Sequence, residues 1–402
     1  MDSAGVVALV TQNPYPSDVD VRTRKFVETF VTEGYRVVVI SNGGYGSEVC
    51  ERSTDLVVYR LGRDANNGIA SWLGHPVPFN PVWSKWIRDL CWREKPNVVV
   101  INGLRLFLPA YMAAKALRIP VISDLSEHFP GMGQMQNRSG LEKLLKNRPL
   151  ISLLEAMTVR LADEVWVVVE DQRERLGRLY GAQQKIGIVS NTPIVRTADN
   201  SRPSARRQDT GVLTIGYVGL LEKGRGLQSV MRALRYLTDR TDIKFVIVGD
   251  GKFGPALMAL AKELDVERCV EFRGWVPSDQ LDDIISQFDV GIIPHFVCEF
   301  THHTLPNKLF DFMSLGVPVL VTPMKPVARV VEAERCGIII SEDPREIART
   351  IASLKDRTEE LREMGARGRI AVRGRYNWSR ESKVILRSVE RWVREREMKM
   401  MG

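Results

Sequence analysis

Cysteine is scarce in this chain of 402 residues, and it is badly placed for cross-linking. The five cysteines (Cys50, Cys91, Cys269, Cys298 and Cys336) are odd in number, far apart and never in a Cys-x-x-Cys pair. That argues against a disulfide framework or a structural zinc site, and a reducing cytosol is the expected compartment. Long apolar runs are missing too, since none approaches the roughly 18 residues of a spanning helix. The start runs directly into the strand-like Val6-Val-Ala-Leu-Val10 without a basic n-region, so no secretory leader is expected. Glycine and proline, at 31 and 20, are ordinary, which leaves no room for collagen-like or disordered readings.

What is present is enough for two cores. With 44% hydrophobic residues, two domains are the expectation. The net charge of +8 admits nucleic acid, an anionic membrane surface or phosphorylated substrates as partners, or simply a solvated basic face. Apolar runs at 6–10, 36–41, 98–101, 119–123, 164–169 and 186–189 alternate with helical patterns at about 21–34, 80–94, 106–117, 140–162 and 170–180. This rhythm predicts a parallel sheet covered on both faces. The polar, basic, aperiodic stretch Asn200–Gly211 is the best linker candidate. A second series follows, with strands at 213–217, 243–248, 269–272, 289–293 and 317–321. Helices are predicted at 226–238, 253–264, 278–287, 306–315, 326–335 and 344–355, and a charged amphipathic helix at 378–398. Ligands of open α/β sheets bind beyond the carboxyl ends of the strands, so a cleft lined by strand ends of both domains is expected.

The segment from Thr304 to Leu320 is the most informative. It reads as a polar turn, a short helix, a stop at Gly316 and a buried strand. Pro306 suits a first helical turn. The N–H groups of Asn307, Lys308 and Leu309 should then point outward toward an oxygen-rich ligand. Asp311, one turn deeper, can accept two hydroxyl hydrogen bonds from a sugar. Gly216-Tyr-Val-Gly219-Leu-Leu-Glu-Lys223-Gly-Arg225-Gly-Leu227 also follows a strand and opens a helix. Its glycines let the backbone approach phosphate oxygens, and Lys223 or Arg225 would neutralise a diphosphate, unless both are merely solvated loop charges.

Val248-Gly-Asp-Gly251-Lys-Phe-Gly254 satisfies G-x-G-x-x-G but lies on the second strand of its series. A dinucleotide fingerprint belongs on the first, and the acid at the right spacing, Glu271, falls inside a strand. The NAD reading is therefore set aside. His295, Glu299, His302 and His303 invite a zinc hypothesis, but the spacing is not His-Glu-x-x-His and the segment is loop-like. No metal is expected.

Toward the N-terminus, Asn13–Arg24 is a polar turn leading into a helix, and Asp20 is as well read as its N-cap as a ligand contact. Asp124-Leu-Ser126-Glu127-His128-Phe-Pro130 ends a strand of the first series. A carboxylate there, Glu127, is seldom a packing residue. His128 is either a sugar contact or core. Trp72, Trp83, Trp86 and Trp92 with Lys85, Arg88 and Arg93, and the basic group Arg138, Lys143, Lys146 and Arg148, suit peripheral membrane docking, although Trp83 and Trp86 are at helical spacing and suit a core as well.

These segments resemble the retaining glycosyltransferases of family 4, over most of the chain and most strongly in residues 213–321. The resemblance implies a GT-B fold: an acceptor-side Rossmann-like domain over 1–200, a donor-binding one over 211–375, and a final helix, 376–402, packing back on the first. It implies transfer of a hexose-type sugar from a nucleotide-diphosphate sugar to a glycan, lipid-linked or small-molecule acceptor, with retention. No metal or further cofactor takes part. The enzyme would be cytoplasmic, with contact at the inner membrane face.

By the same resemblance Gly219, Lys223 and Arg225 grip the diphosphate, with Leu220 where an arginine is usual. Gly251 closes over the nucleotide, and the Gly274-Trp-Val276-Pro turn meets the base. Pro306, Asn307, Lys308 and Leu309 frame the donor, while His303 and Asp311 occupy the positions of a sugar-contacting and a ribose-contacting glutamate. Pro16, Ser17, Asp20, Arg22, Asp124 and Ser126 lie on the acceptor side, and Glu127 and His128 stand near the point of transfer. A sugar-nucleotide epimerase on the same fold is the first rival. A nucleic-acid-binding protein is disfavoured, because basic residues alternate with 49 acidic ones and no recognition module is visible.

Overall fold

The computed structural model describes residues 4–16, 20–45, 49–63, 80–134, 148–195 and 211–401. Ser17, Trp72, Arg138, Lys143 and Lys146, and the linker candidate up to residue 210, lie outside the described residues. The chain divides into two compact units: Met1–Phe129 with Asn147–Ser190 and Glu381–Gly402, and Pro130–Lys146 with Asn191–Arg380.

The first unit contains β1 (Val6–Thr11), β2 (Arg36–Tyr45), β3 (Val49–Arg52), β4 (Leu56–Arg63), β5 (Val98–Asn102), β6 (Val121–Leu125), β7 (Glu164–Val167) and β8 (Ile186–Ile188). They form one sheet in the order β3-β4-β2-β1-β5-β6-β7-β8. All neighbours are parallel except β3 and β4. Strands β1 and β5 are mainly Val, Ile and Leu buried on both faces, and β6 adds the buried Ser123 and Asp124 to such a run. Each fully buried Val, Ile or Leu side chain contributes roughly 1.5–3 kcal/mol. The sequence analysis named neither β3 nor β4. In β4 the charged Arg60 and Arg63 interrupt the apolar run, and β3 is a short antiparallel edge strand.

Around this sheet the helices start where local chemistry asks them to. Asn80 caps Pro81–Glu94 by accepting from Val82 N–H at 2.9 Å and Trp83 N–H at 3.2 Å, with Pro81 in the first turn. On that helix Trp83 is fully buried, with Trp86 edge-to-face against it at 5.4 Å between centroids, whereas Trp92 is 71% exposed. The docking patch read from the sequence thus loses Trp83 to the core. Among the described residues no helix is long and apolar enough to cross a membrane.

The second unit contains β9 (Leu213–Val218), β10 (Ile243–Val248), β11 (Val270–Gly274), β12 (Val290–Ile293), β13 (Val319–Val321) and β14 (Gly337–Ile339). All are parallel, in the order β11-β10-β9-β12-β13-β14. The chain builds outward from β9 in one direction and then returns to build the other half from β12, so the switch point lies between β9 and β12. Strand β14 and the helix Thr358–Gly374 were not among the expected elements. At three residues, β14 is too short for a periodic signal.

The terminal helix, Trp378–Met401, joins the first unit from Glu381 onward. Its anchor there is Glu164 on β7, which is 7% exposed. The Glu164 carboxylate accepts from Ser388 Oγ at 2.5 Å, Arg391 Nη2 at 2.5 Å, and the indole N–H groups of Trp392 and Trp166 at 2.9 Å each. Glu164→Ala leaves the buried Ser388 hydroxyl and Trp166 indole N–H without their acceptor and should lower stability by about 1–3 kcal/mol, read as an earlier urea midpoint by tryptophan fluorescence. An unchanged midpoint would show that the helix docks by its apolar face alone.

Candidate functional site

The loops that follow β11, β10 and β9 lean on one another in sequence. Gly249 N–H donates to Gly274 O at 2.7 Å, Gly219 N–H to Val248 O at 2.9 Å, and Leu221 N–H to Asp250 O at 2.9 Å. Gly251 and the turn bearing Val276 therefore stand beside Gly219. The dinucleotide alternative loses its acid: Glu271 is tied to Lys244 and Arg273 at 2.6 Å each.

Gly219 has φ +127°, and a Cβ there would lie 2.8 Å from Lys308 Nζ. The Lys308 ammonium stands 3.9 Å from the centroid of the Tyr217 ring, whose hydroxyl donates to Leu220 O at 2.9 Å. On the other side, a one-turn helix at Lys223–Arg225 ends at Gly226, φ +72°, where a Cβ would collide with Pro294 O. Phe296 N–H donates to Gly224 O at 3.1 Å, fastening this loop to the segment after β12. Lys223 is exposed, while Arg225 is half-buried with its Nε enclosed.

His295, at the end of β12, is 2% exposed, and the Thr322 hydroxyl donates to its backbone carbonyl at 2.5 Å. Burial, with Arg225 and Lys308 adding to it, pushes the imidazole well below its ordinary range and leaves it neutral. Burial and Arg225 likewise push Lys308 well below the usual lysine range, against the opposite pull of Asp311. Among the described residues neither Arg225 nor Lys308 forms an ion pair, and the buried His295 Nε2 and Arg225 Nε have no hydrogen-bond partner. Buried cations are ordinarily paired. Arg225 and Lys308 thus stand close enough to act on each other without an ion-pairing carboxylate, and Asp311 acts on Lys308 without forming a salt bridge.

The helix of the Thr304–Leu320 segment begins at Lys308, two residues later than expected, and Asn307 takes the cap position. Leu309 N–H is spent on Pro306 O at 3.1 Å, so of the three expected outward donors this one is corrected. Asn307 Oδ1 accepts from Asn191 Nδ2 at 2.9 Å. His303 Nδ1 lies 2.7 Å from Glu299 O, and His302 Nδ1 accepts from Lys325 N–H at 3.2 Å, opening the helix Lys325–Glu334. Among the described residues no three His, Cys, Asp or Glu side chains come together to hold a metal.

The acceptor-side residues lie at the corresponding switch of the first sheet, between β1 and β5, and most are engaged internally. Asp20 caps the helix Val21–Thr32 through Thr23 N–H at 3.0 Å. It also accepts from Thr11 Oγ1 and Asn13 Nδ2 at 3.0 Å and from Thr23 Oγ1 at 2.9 Å. Arg22 makes a bidentate pair with Asp124 at 2.7 Å for both bonds, and the residues are 5% and 0% exposed. Full burial pushes the Asp124 carboxyl upward, against the pull of Arg22. Ser126 is half-buried, while Pro16 and Glu127 are exposed. Gln172 Nε2 pins the strand end by donating to Leu125 O at 3.3 Å and Glu127 O at 3.2 Å. His128 is fully buried, where the packing alternative places it.

Sequence reasoning missed three contributors. Tyr217 was unremarkable inside a strand, and His295 was weighed only as a metal ligand. The Lys308 side chain was overlooked in favour of its N–H. One signal was available: a lysine at a helix start opposes the macrodipole, at a cost of about 0.3–1 kcal/mol, and such a conflict marks function. Because removing one partner of a buried pair leaves the other uncompensated, Arg22→Ala should destabilise the protein by about 3–5 kcal/mol in urea denaturation. A loss below about 1 kcal/mol would mean that Asp124 is neutral in the folded protein.

Residues 212–357 match the family described as glycosyl transferases group 1, and residues 19–192 the glycosyl transferase 4-like domain. The Escherichia coli (strain K12) protein WcaL, named for colanic acid biosynthesis, is 27% identical over 207 residues, half of this chain and half of that protein's length. The 2-deoxystreptamine glucosyltransferase of Streptomyces kanamyceticus is 23% identical over 302 residues, 71% of this chain and 76% of the other. Among solved structures, Anabaena Alr3699/HepE in complex with UDP-glucose superposes with a TM-score of 0.69 at 12% identity, over 96% of this chain and 99% of that one. The fold is GT-B: two Rossmann-like domains.

Proposed function

We propose that this chain, which belongs to the group 1, family 4-like glycosyltransferases, moves a hexose-type sugar from a nucleoside-diphosphate sugar to an acceptor hydroxyl with retention. The observation that carries this is the positive cluster without a counterion at the β9/β12 switch point, where open α/β sheets bind their ligands. The UDP-glucose complex of the HepE neighbour supports a sugar nucleotide as the occupant, and the glucosyltransferase relative supports a hexose.

Glycosyl transfer passes through an oxocarbenium-like state while negative charge builds on the leaving diphosphate. Arg225, fixed in the Lys223–Arg225 turn, faces that charge. Retention then needs no separate base, because the departing phosphate can take the acceptor's proton on the same face of the sugar. Asp311, close enough to Lys308 to raise its affinity for a proton, accepts from ribose hydroxyls. Exposed Glu127 orients the acceptor hydroxyl. Side-chain cations supply the countercharge, so a divalent metal has no task left to perform.

Turnover of a panel of UDP-, GDP-, ADP- and dTDP-sugars, with the product anomer assigned by NMR, tests the whole proposal. Inversion at the anomeric carbon would refute retention, and conversion of the sugar nucleotide without acceptor would favour the epimerase. Arg225→Ala should cut turnover about a hundredfold with folding preserved, and Arg225→Lys should recover only part, since a point charge replaces a planar fork. Wild-type rate in Arg225→Ala would move the diphosphate elsewhere. Asp311→Asn should weaken donor binding about ten- to a hundredfold by calorimetry. EDTA should leave turnover unchanged, and loss rescued by manganese would overturn the metal-independent account.

A further inference from the structure

We infer that the Lys308 side chain, and not that of Lys223, is the second cation gripping the diphosphate. The inference rests on the donor reading above and assigns a role within it. Lys223 is exposed on its loop and has only its carbonyl engaged inward, by Gln228 Nε2 at 2.9 Å. Lys308 is placed differently in every respect that matters for an anion. Its ammonium is held over the Tyr217 ring at 3.9 Å and sits directly above the position where Gly219 lacks a Cβ. The missing side chain lets the ammonium come up against the Gly219 backbone, so that one phosphate can meet both together.

Lys308 also stands at the first position of its helix, where the macrodipole repels a cation. Arg225 adds repulsion from the loop and His295 shares the site from the end of β12. On its own helix Asp311 attracts it without forming an ion pair, and the Tyr217 phenol beneath it stays protonated by burial. A group pressed toward its neutral form by burial and by another cation is restored to full charge by a dianion. Binding should therefore take up a proton, and affinity should fall as pH rises.

The test uses inorganic pyrophosphate as a base-free probe, together with whichever of UDP, GDP, ADP and dTDP the wild-type protein binds. Lys308→Met keeps an apolar stem over Tyr217, Lys308→Arg keeps the charge, and Lys223→Met is the comparison. Calorimetry should show a loss of about ten- to a hundredfold for Lys308→Met, substantial recovery in Lys308→Arg, and a much smaller loss for Lys223→Met. Titration in buffers of different ionisation enthalpy should show proton uptake in wild type that shrinks in Lys308→Arg, whose guanidinium is always charged. A purely structural lysine would change the melting temperature without changing pyrophosphate affinity. Wild-type affinity in Lys308→Met, with affinity lost in Arg225→Ala, overturns this inference and leaves the donor reading standing. Failure of the wild-type protein to bind any of these anions overturns both.

Discussion

Positive charge held without an ion pair at the β9/β12 switch point is the constraint around which the second unit is arranged. Arg225 and Lys308 repel each other, and both depress the protonation of His295. Such a cluster costs stability as it stands, and it persists because backbone that has no alternative conformation surrounds it. Gly226 cannot carry a side chain without striking Pro294, and Phe296 locks the same loop through Gly224. The strain is therefore held by apolar core and by hydrogen-bonded loops rather than by a neighbouring carboxylate. On the proposed reading an incoming diphosphate relieves it, and the same relief grows as charge moves onto the leaving group.

The first unit solves the opposite problem. Polar residues at its strand ends pair with one another: Asp20 with Thr23, Thr11 and Asn13, and Arg22 with Asp124. These contacts tie the start of the helix Val21–Thr32 to the end of β1. Beyond them Glu127 is exposed just past the end of β6, with Gln172 donating to its backbone carbonyl.

Most of the fold was legible because buried parallel strands are continuous apolar runs, and β1, β5, β9 and β10 could hardly read otherwise. Strand β4 escaped because Arg60 and Arg63 interrupt its apolar run in the sequence, and β14 because three residues carry no period. Within the site, glycine spacing announced the loops at Gly219 and Gly251. It could not say which cation fills the space that a glycine leaves, since Lys223 and Lys308 look alike in one dimension. His128 and Trp83 show the converse limit. A strand-end histidine and a helical tryptophan suggest function by type, yet both are fully buried, which is a property of three dimensions.

Hydrogen-exchange mass spectrometry on the protein with and without its bound nucleoside diphosphate tests the central claim most directly. The account predicts new protection over residues 219–226 and 303–311, where the loop amides and the helix start meet the diphosphate and ribose. Protection confined to Gly249–Gly254, or none in the second unit at all, would contradict it.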